Sequence, residues 1–282
     1  MSDYAKDVLV ETEELEGLLS DSSIRIVEVD EDTSLYEKGH IPGAVNWDWA
    51  KDLHHPVNRD FIDEEALAKL LARSAIGADE KVIIYSGNNN WFASYAYWLL
   101  KYRGFEGVKL LNGGRKKWEL ESRELNSEVP NYPAPGSPAK ITGTQPELRA
   151  IRDDVLAAVV SGDVEFIDVR SPEEYRGELL APPHLPQEQS QVPGHIPGAH
   201  NIPWSKAAQE DGTFRPADEL RRLYQEEENI EPGKEVVAYC RIGERSSHTW
   251  FVLQELLGYE NVKNYDGSWT EYGSLVSAPV EL

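Results

Sequence analysis

Cysteine is almost missing from this chain: Cys240 is the only one among 282 residues. A single thiol excludes an intramolecular disulfide framework and a cysteine-based metal cluster. Basic residues are scarce as well. Lys and Arg number 28 against 50 Asp and Glu, for a formal net charge of −22 at pH 7. So acidic a surface argues against nucleic acid and against an anionic membrane as partners. It also repels anionic substrates at long range, so any anion site is expected to be locally positive. The charge fits either an ordinary solubility device or adaptation to high salt. Long apolar runs are absent, and the start Met1-Ser2-Asp3-Tyr4-Ala5-Lys6-Asp7 lacks the basic and apolar regions of a signal peptide. A cytoplasmic protein is the simplest expectation.

What is present is a chain of two-domain length, 40% hydrophobic. Ile24-Arg25-Ile26-Val27-Glu28-Val29-Asp30, Lys81-Val82-Ile83-Ile84-Tyr85 and Val108-Lys109-Leu110-Leu111 read as strands. Helices are expected over 11–19, 64–73 and 91–102, and around Trp118. Strands alternating with helices predict an α/β fold, a parallel sheet covered by helices on both faces. Residues 122–146 then turn proline- and glycine-rich, from Pro130 and Pro133 to Gly143 and Pro146, and read as an extended linker. This places a first domain at 1–121 and a second at 147–282.

The second domain replays the first. Gly39-His40-Ile41-Pro42-Gly43-Ala44 recurs unchanged as Gly194-His195-Ile196-Pro197-Gly198-Ala199, an offset of 155 residues (39 to 194). Val82 to Tyr85 recurs as Val236 to Tyr239, an offset of 154 (82 to 236), which holds on to Gly258 and Gly267. One long offset marks a duplicated domain rather than a solenoid. Since His40 and His195 recur in both halves, a structural role is expected for them. Two residues separate Tyr36 from Gly39, but eighteen separate Tyr175 from Gly194. The extra stretch, around Leu180 to Gln189, reads as an ordered surface loop that touches the other half.

The halves part at one place. Glu235-Val236-Val237-Ala238-Tyr239 is an apolar strand that ends at Cys240, and a helix begins near Ser246. The loop between carries Arg241, Ile242, Gly243, Glu244 and Arg245. The N–H groups of Ile242, Gly243, Glu244 and Ser246 can curl towards one point and bind an anion. Arg245 adds a permanently charged fork of donors. In such a field the thiol is expected to have a lowered pKa and to stand largely as thiolate. The plainer alternative is a small buried cysteine closing a strand. In the first half Ser86 stands for Cys240 and Trp91 for Arg245, so only the second half is expected to hold the anion pocket. Glu244 reads as a solvated loop carboxylate or as a partner of an arginine, His248 as packing. His54-His55 lacks a third ligand nearby, so no metal is expected.

The repeated Gly-His-Ile-Pro-Gly-Ala turn, Asp168-Val169-Arg170 with Tyr175, the Cys240 loop, and Val262-Lys263-Asn264-Tyr265-Asp266-Gly267-Ser268-Trp269 together resemble the two-domain rhodaneses, above all the bacterial thiosulfate sulfurtransferases. The resemblance spans nearly the whole chain. It implies two tandem rhodanese-like domains, the first catalytically empty. It implies double displacement: the Cys240 thiolate takes the outer sulfur of a small anionic donor, stands as a persulfide, and hands the sulfur to cyanide or a thiol. Carried onto this chain, Cys240 is the nucleophile, Arg245 binds the donor's anionic end and Arg241 helps to hold a sulfonate. No cofactor and no metal are implied. One departure is Glu174, where many relatives carry a basic residue just before the tyrosine.

Other readings are weaker. Cysteine phosphatases and arsenate reductases place five residues between Cys and Arg, and here four intervene. A non-catalytic rhodanese-like binding module lacks the cysteine. 3-Mercaptopyruvate is the alternative donor, but its enzymes usually carry small neutral residues after the cysteine, where this chain has Arg241.

Overall fold

The computed structural model describes residues 3–181 and 189–282. Residues 182–188, part of the stretch expected to form a surface loop against the other half, lie outside the described residues. The chain divides into two compact units. The first holds residues 8–145 with 210–214, and the second holds the segment ending at Asp7 with 146–209 and 215–282.

Among the described residues the first unit has five strands: β1 (Leu9–Val10), β2 (Ile24–Asp30), β3 (Ala44–Asp48), β4 (Lys81–Tyr85) and β5 (Val108–Leu111). They pair in the order β1-β5-β4-β2-β3, all parallel. Every residue of β2 is buried, as expected of a strand covered on both faces. The helix Glu64–Arg73 buries Leu67, Leu70 and Leu71 and is capped by Asp63, which accepts the Ala66 N–H at 2.8 Å. The helix Trp91–Tyr102 is buried over most of its length. Residues 122–145 run extended along this unit. Asn126 bridges His40, the Tyr132 hydroxyl donates to the Gly43 carbonyl at 2.8 Å, and the Gln145 N–H donates to the Tyr102 carbonyl at 2.7 Å.

The second unit has four strands among the described residues: β6 (Val164–Asp168), β7 (His200–Asn201), β8 (Glu235–Tyr239) and β9 (Val262–Tyr265). They pair in parallel in the order β7-β6-β8-β9. Phe166, Val237, Tyr239, Tyr265, Trp269 and Tyr272 pack into one core cluster. The expected α/β architecture is therefore present in both units, each a parallel sheet flanked by helices.

The repeated turn does the same work twice. His40 and His195 each place Nδ1 2.8 Å from the carbonyl of a tyrosine, Tyr36 and Tyr175, and stack on that ring at 3.8 and 3.6 Å. Each tyrosine hydroxyl donates at 2.8 Å to the alanine carbonyl that ends the turn, Ala44 or Ala199. Both histidines are spent on holding a turn.

Beneath the turn the units solve one problem differently. Glu28 and Asp168 hold equivalent register positions, opposite Tyr85 and Tyr239. In the first unit Arg115 pairs with Glu28 at 2.6 Å and donates to the Gly39 carbonyl at 2.7 Å. In the second, Arg170 pairs with Asp168 at 2.6 Å, donates to the Gly194 carbonyl at 2.7 Å and lies over the Trp269 ring at 4.9 Å. The guanidinium thus comes from a helix in one unit and from the loop just after a strand in the other. Asp30 fills the position of Arg170 and, buried, accepts the Gly87 N–H at 2.9 Å.

Burial above all, with the neighbouring Glu28 charge, pushes the Asp30 carboxyl up to about 7, against an ordinary value of 3.8. Its folded pKa is raised, so its contribution to stability is complete below 3.8 and is lost as pH rises through about 7. Asp30→Asn keeps an oxygen for the Gly87 N–H and removes the titration. Its stability relative to wild type should rise with pH across that window, by at most about 1.4 kcal/mol per unit. Denaturant unfolding of both proteins at several pH values measures this; a pH-independent difference would contradict it.

Candidate active site

Cys240 follows the last residue of β8, at the carboxyl ends of parallel strands, where α/β sheets place their functional groups. Its backbone is tied down at both ends. The Cys240 N–H donates to the Ser268 hydroxyl at 3.0 Å, and the Cys240 carbonyl accepts the Trp269 N–H at 3.1 Å. The Arg241 carbonyl accepts the Thr270 N–H at 3.1 Å. The turn after β9 therefore fixes the start of the Cys240 loop.

The far end of the loop is fixed by Gly243, whose φ of +107° a side chain rarely adopts. A Cβ there would stand 2.9 Å from Cα of Asp266. The Gly243 carbonyl accepts from the hydroxyls of Ser246 and Ser247 at 3.0 and 2.7 Å and from Asn264 Nδ2 at 3.3 Å. The helix Glu244–Phe251 begins here and widens over Val252–Leu256 into a π turn, where the Leu257 N–H reaches the Val252 carbonyl.

Within this frame the sulfur receives backbone donors. The Gly243 N–H points at Sγ from 3.1 Å, and the Ser246 N–H adds a pull that favours negative charge on the sulfur. Among the described residues no such bond comes from the N–H of Ile242, which is half-buried in the turn, or of Glu244. Glu244 enters with its side chain instead: Oε2 lies 3.6 Å from Sγ as acceptor for the thiol proton. Its residue exposure is 2%, which rules out the solvated carboxylate, one of its two expected readings.

Two further expectations change. The thiol is raised, not lowered. Burial of Cys240 dominates and the Glu244 charge adds to it, outweighing the opposite pull of Arg245 and the two N–H donors. The surroundings are also not positive on balance. Arg245 gives both terminal nitrogens to Glu174 in a two-pronged pair, at 2.9 and 3.0 Å, with both residues buried. Its Nε is buried without a hydrogen bond among the described residues. Burial works to raise the Glu174 carboxyl, but bonds from Arg245 and the Ser171 N–H hold it below the ordinary 4.5. Arg241 is buried in the same loop. Arg245 is thus neutralised by Glu174, while the Glu244 carboxylate stands beside the sulfur.

Glu174 is the residue that sequence reasoning undervalued. Its signal was local: Ser171-Pro172-Glu173-Glu174 is a capping box, with the Ser171 N–H donating to Oε2 at 3.0 Å and the Glu174 N–H to Ser171 Oγ at 3.2 Å. That box sets the carboxylate where Arg245 meets it. His248 is buried, pushed down to about 3 by burial, and packs edge-on against Trp204 at 5.5 Å. Among the described residues no group of three or more His, Cys, Asp or Glu is placed to hold a metal ion, and no helix is long and apolar enough to cross a membrane.

The equivalent loop of the first unit has different contents. The Ser86 N–H donates to Asn90 Oδ1 at 2.9 Å, and Asn88, Asn89 and Asn90 all have positive φ. Asn90 stands where Glu244 stands and Trp91 where Arg245 stands.

Comparison with known proteins agrees with this construction. The family model described as "Rhodanese-like domain" matches residues 11–121 and again 152–275. A protein of Mycolicibacterium smegmatis named "Putative thiosulfate sulfurtransferase" is 59% identical over 276 residues, 98% of each chain. The "Sulfur carrier protein TtuD" of Thermus thermophilus is 53% identical, over 97% of this chain and 96% of its own. Among solved structures, an anaerobic ergothioneine biosynthesis enzyme from Chlorobium limicola aligns with a TM-score of 0.83 at 25% identity, over 97% of this chain and 69% of that one. With the motif in both halves, the duplicated sheet, and the single cysteine closing β8 of the second, this chain belongs to the rhodanese family, as a sulfurtransferase relative with two rhodanese-like domains.

Proposed function

We propose that this chain is a thiosulfate sulfurtransferase: it moves the outer sulfur of thiosulfate to cyanide or a thiol through a persulfide on Cys240. The observation that carries the reading is the Gly243 N–H aimed at Sγ from 3.1 Å at the head of the helix, with the Ser246 N–H adding to the pull on the sulfur's charge. Fixed N–H dipoles stabilise an anionic sulfur without giving up a proton, which is what a persulfide needs. The names of close relatives point the same way. Since Cys240 is fully buried, the donor reaches it only when neighbouring side chains move.

A singly charged donor, 3-mercaptopyruvate, is the second reading. It is favoured by one observation: Glu174 already neutralises Arg245. Initial rates with thiosulfate and with 3-mercaptopyruvate, each with cyanide as acceptor, separate the two. Arg241→Ala should raise the thiosulfate concentration needed about tenfold or more, the loss of a charge-assisted contact, and affect 3-mercaptopyruvate less. An equal effect on both donors would remove Arg241 as the sulfonate contact. A higher rate with 3-mercaptopyruvate in the wild type would overturn the choice of thiosulfate.

A further inference from the structure

We propose that Glu244 is a catalytic residue that holds the Cys240 proton for as long as the persulfide stands. The inference rests on the sulfurtransferase reading and adds a proton path to it. Its basis is geometric: Glu244 is four residues after Cys240, its carboxylate is buried with the thiol, and Oε2 is within reach of the S–H.

The chemistry follows from charge. A buried thiol beside a buried carboxylate shares one proton, so the pair carries a single negative charge. The thiosulfate dianion arrives, Sγ attacks its outer sulfur, and the thiol proton passes to Glu244. The new Sγ–S bond takes the place of the S–S bond of thiosulfate, whose electrons leave with sulfite as a dianion. The pocket then holds an anionic persulfide and a neutral Glu244, still one negative charge. In the second half cyanide attacks the outer sulfur and leaves as thiocyanate. The Sγ–S bond breaks toward Sγ, which regains the proton from Glu244. No proton enters or leaves the site. Without an internal acceptor, persulfide and Glu244 carboxylate would stand together as two buried negative charges, a costly arrangement.

The other charged groups around the pair are largely neutralised or neutral. Arg245, on the same helix, is bound by Glu174 from Pro172–Tyr175. Asp266, behind Gly243, is bound by Arg149 at 2.8 Å. His248 on the helix is neutral, and Arg241 sits in the loop itself. Glu244 is therefore the proton acceptor that meets the sulfur.

A proton count during sulfur loading tests this. Wild type and Glu244→Gln are mixed with thiosulfate in weak buffer with an indicator dye, on the alkaline side of sulfite's own titration. Wild type should release no proton per sulfur taken up, and Glu244→Gln should release one. The loading rate of Glu244→Gln should climb about tenfold per pH unit below the thiol pKa, while that of wild type stays flat. Infrared difference spectra, loaded minus unloaded, should show a protonated carboxyl band in wild type only. One proton released by wild type, or no such band, overturns the proposal even if the variant fails to fold. A faster, pH-independent variant would make Glu244 only a charge that hinders the thiol, and overturns it too. Wild type that rejects thiosulfate but loads from inorganic polysulfide overturns the donor reading alone, and the carboxyl band then decides Glu244. Loading from neither overturns both.

Discussion

Cys240→Ser is expected to abolish sulfur transfer, with a loss of at least about a thousandfold, because an unactivated hydroxyl is a far poorer nucleophile than a thiolate. The fold should be untouched. The first unit carries serine at the equivalent position, where the Ser86 hydroxyl donates to the Gly87 carbonyl at 3.1 Å and accepts the Ala93 N–H at 3.2 Å. In the second unit the Gly243 N–H that points at Sγ can donate to a hydroxyl oxygen in its place. Thermal unfolding that matches wild type, with no thiocyanate formed, is the expected pair of results. Residual turnover in the variant would place the reacting group elsewhere, and no second cysteine exists to take the part.

Arg245→Ala should be the most destabilising single change in the loop. It strands the Glu174 carboxylate, fully buried and bound two-pronged in wild type. Breaking a buried pair from one side costs about 3–5 kcal/mol, or roughly 10 °C in Tm for a unit of this size. Glu174→Ala strands the guanidinium and should cost a similar amount. Replacing both, Glu174→Leu with Arg245→Met, removes the uncompensated charge, and much of the stability should return. Sulfur transfer should not return with it. Thermal melts and cyanide-dependent rates on the three variants separate the roles: recovery of both stability and turnover in the double variant would mean that Arg245 serves packing alone. The Glu174 carboxyl is lowered in the folded state, so the stability it contributes is present above 4.5 and is lost as pH falls through the lower folded value. Wild type should therefore show a steeper acid-unfolding slope than the double variant, by the share that Glu174 contributes.

The strands were legible because each is a short apolar run rich in β-branched residues, and β2, β4, β5 and β8 fall where the runs do. The duplication was legible because one turn, Gly-His-Ile-Pro-Gly-Ala, is used twice for the same pair of ring and hydroxyl contacts. Cys240 stood out because a strand ends at it and a glycine loop follows. What stayed hidden depends on burial or on distant pairing. The Arg245–Glu174 contact joins residues 71 positions apart, and nothing in either local pattern announces the other. The direction of the thiol shift was misjudged because loop donors can be counted along the chain, whereas desolvation cannot. Glu244 looked solvated for the same reason: a carboxylate in a loop is ordinarily exposed, and only the fold encloses this one. Residues 122–145 read as a linker from composition, but their backbone groups pair with His40, Gly104 and Tyr102 of the first unit.

The central claim is that Cys240 carries the sulfur, and the intact mass of the protein tests it most directly. Wild type incubated with thiosulfate and freed of excess donor should gain the mass of one sulfur atom, and cyanide should remove that gain with one thiocyanate formed per chain. Cys240→Ser should keep its original mass throughout. No gain in wild type, or the same gain in Cys240→Ser, would contradict the account.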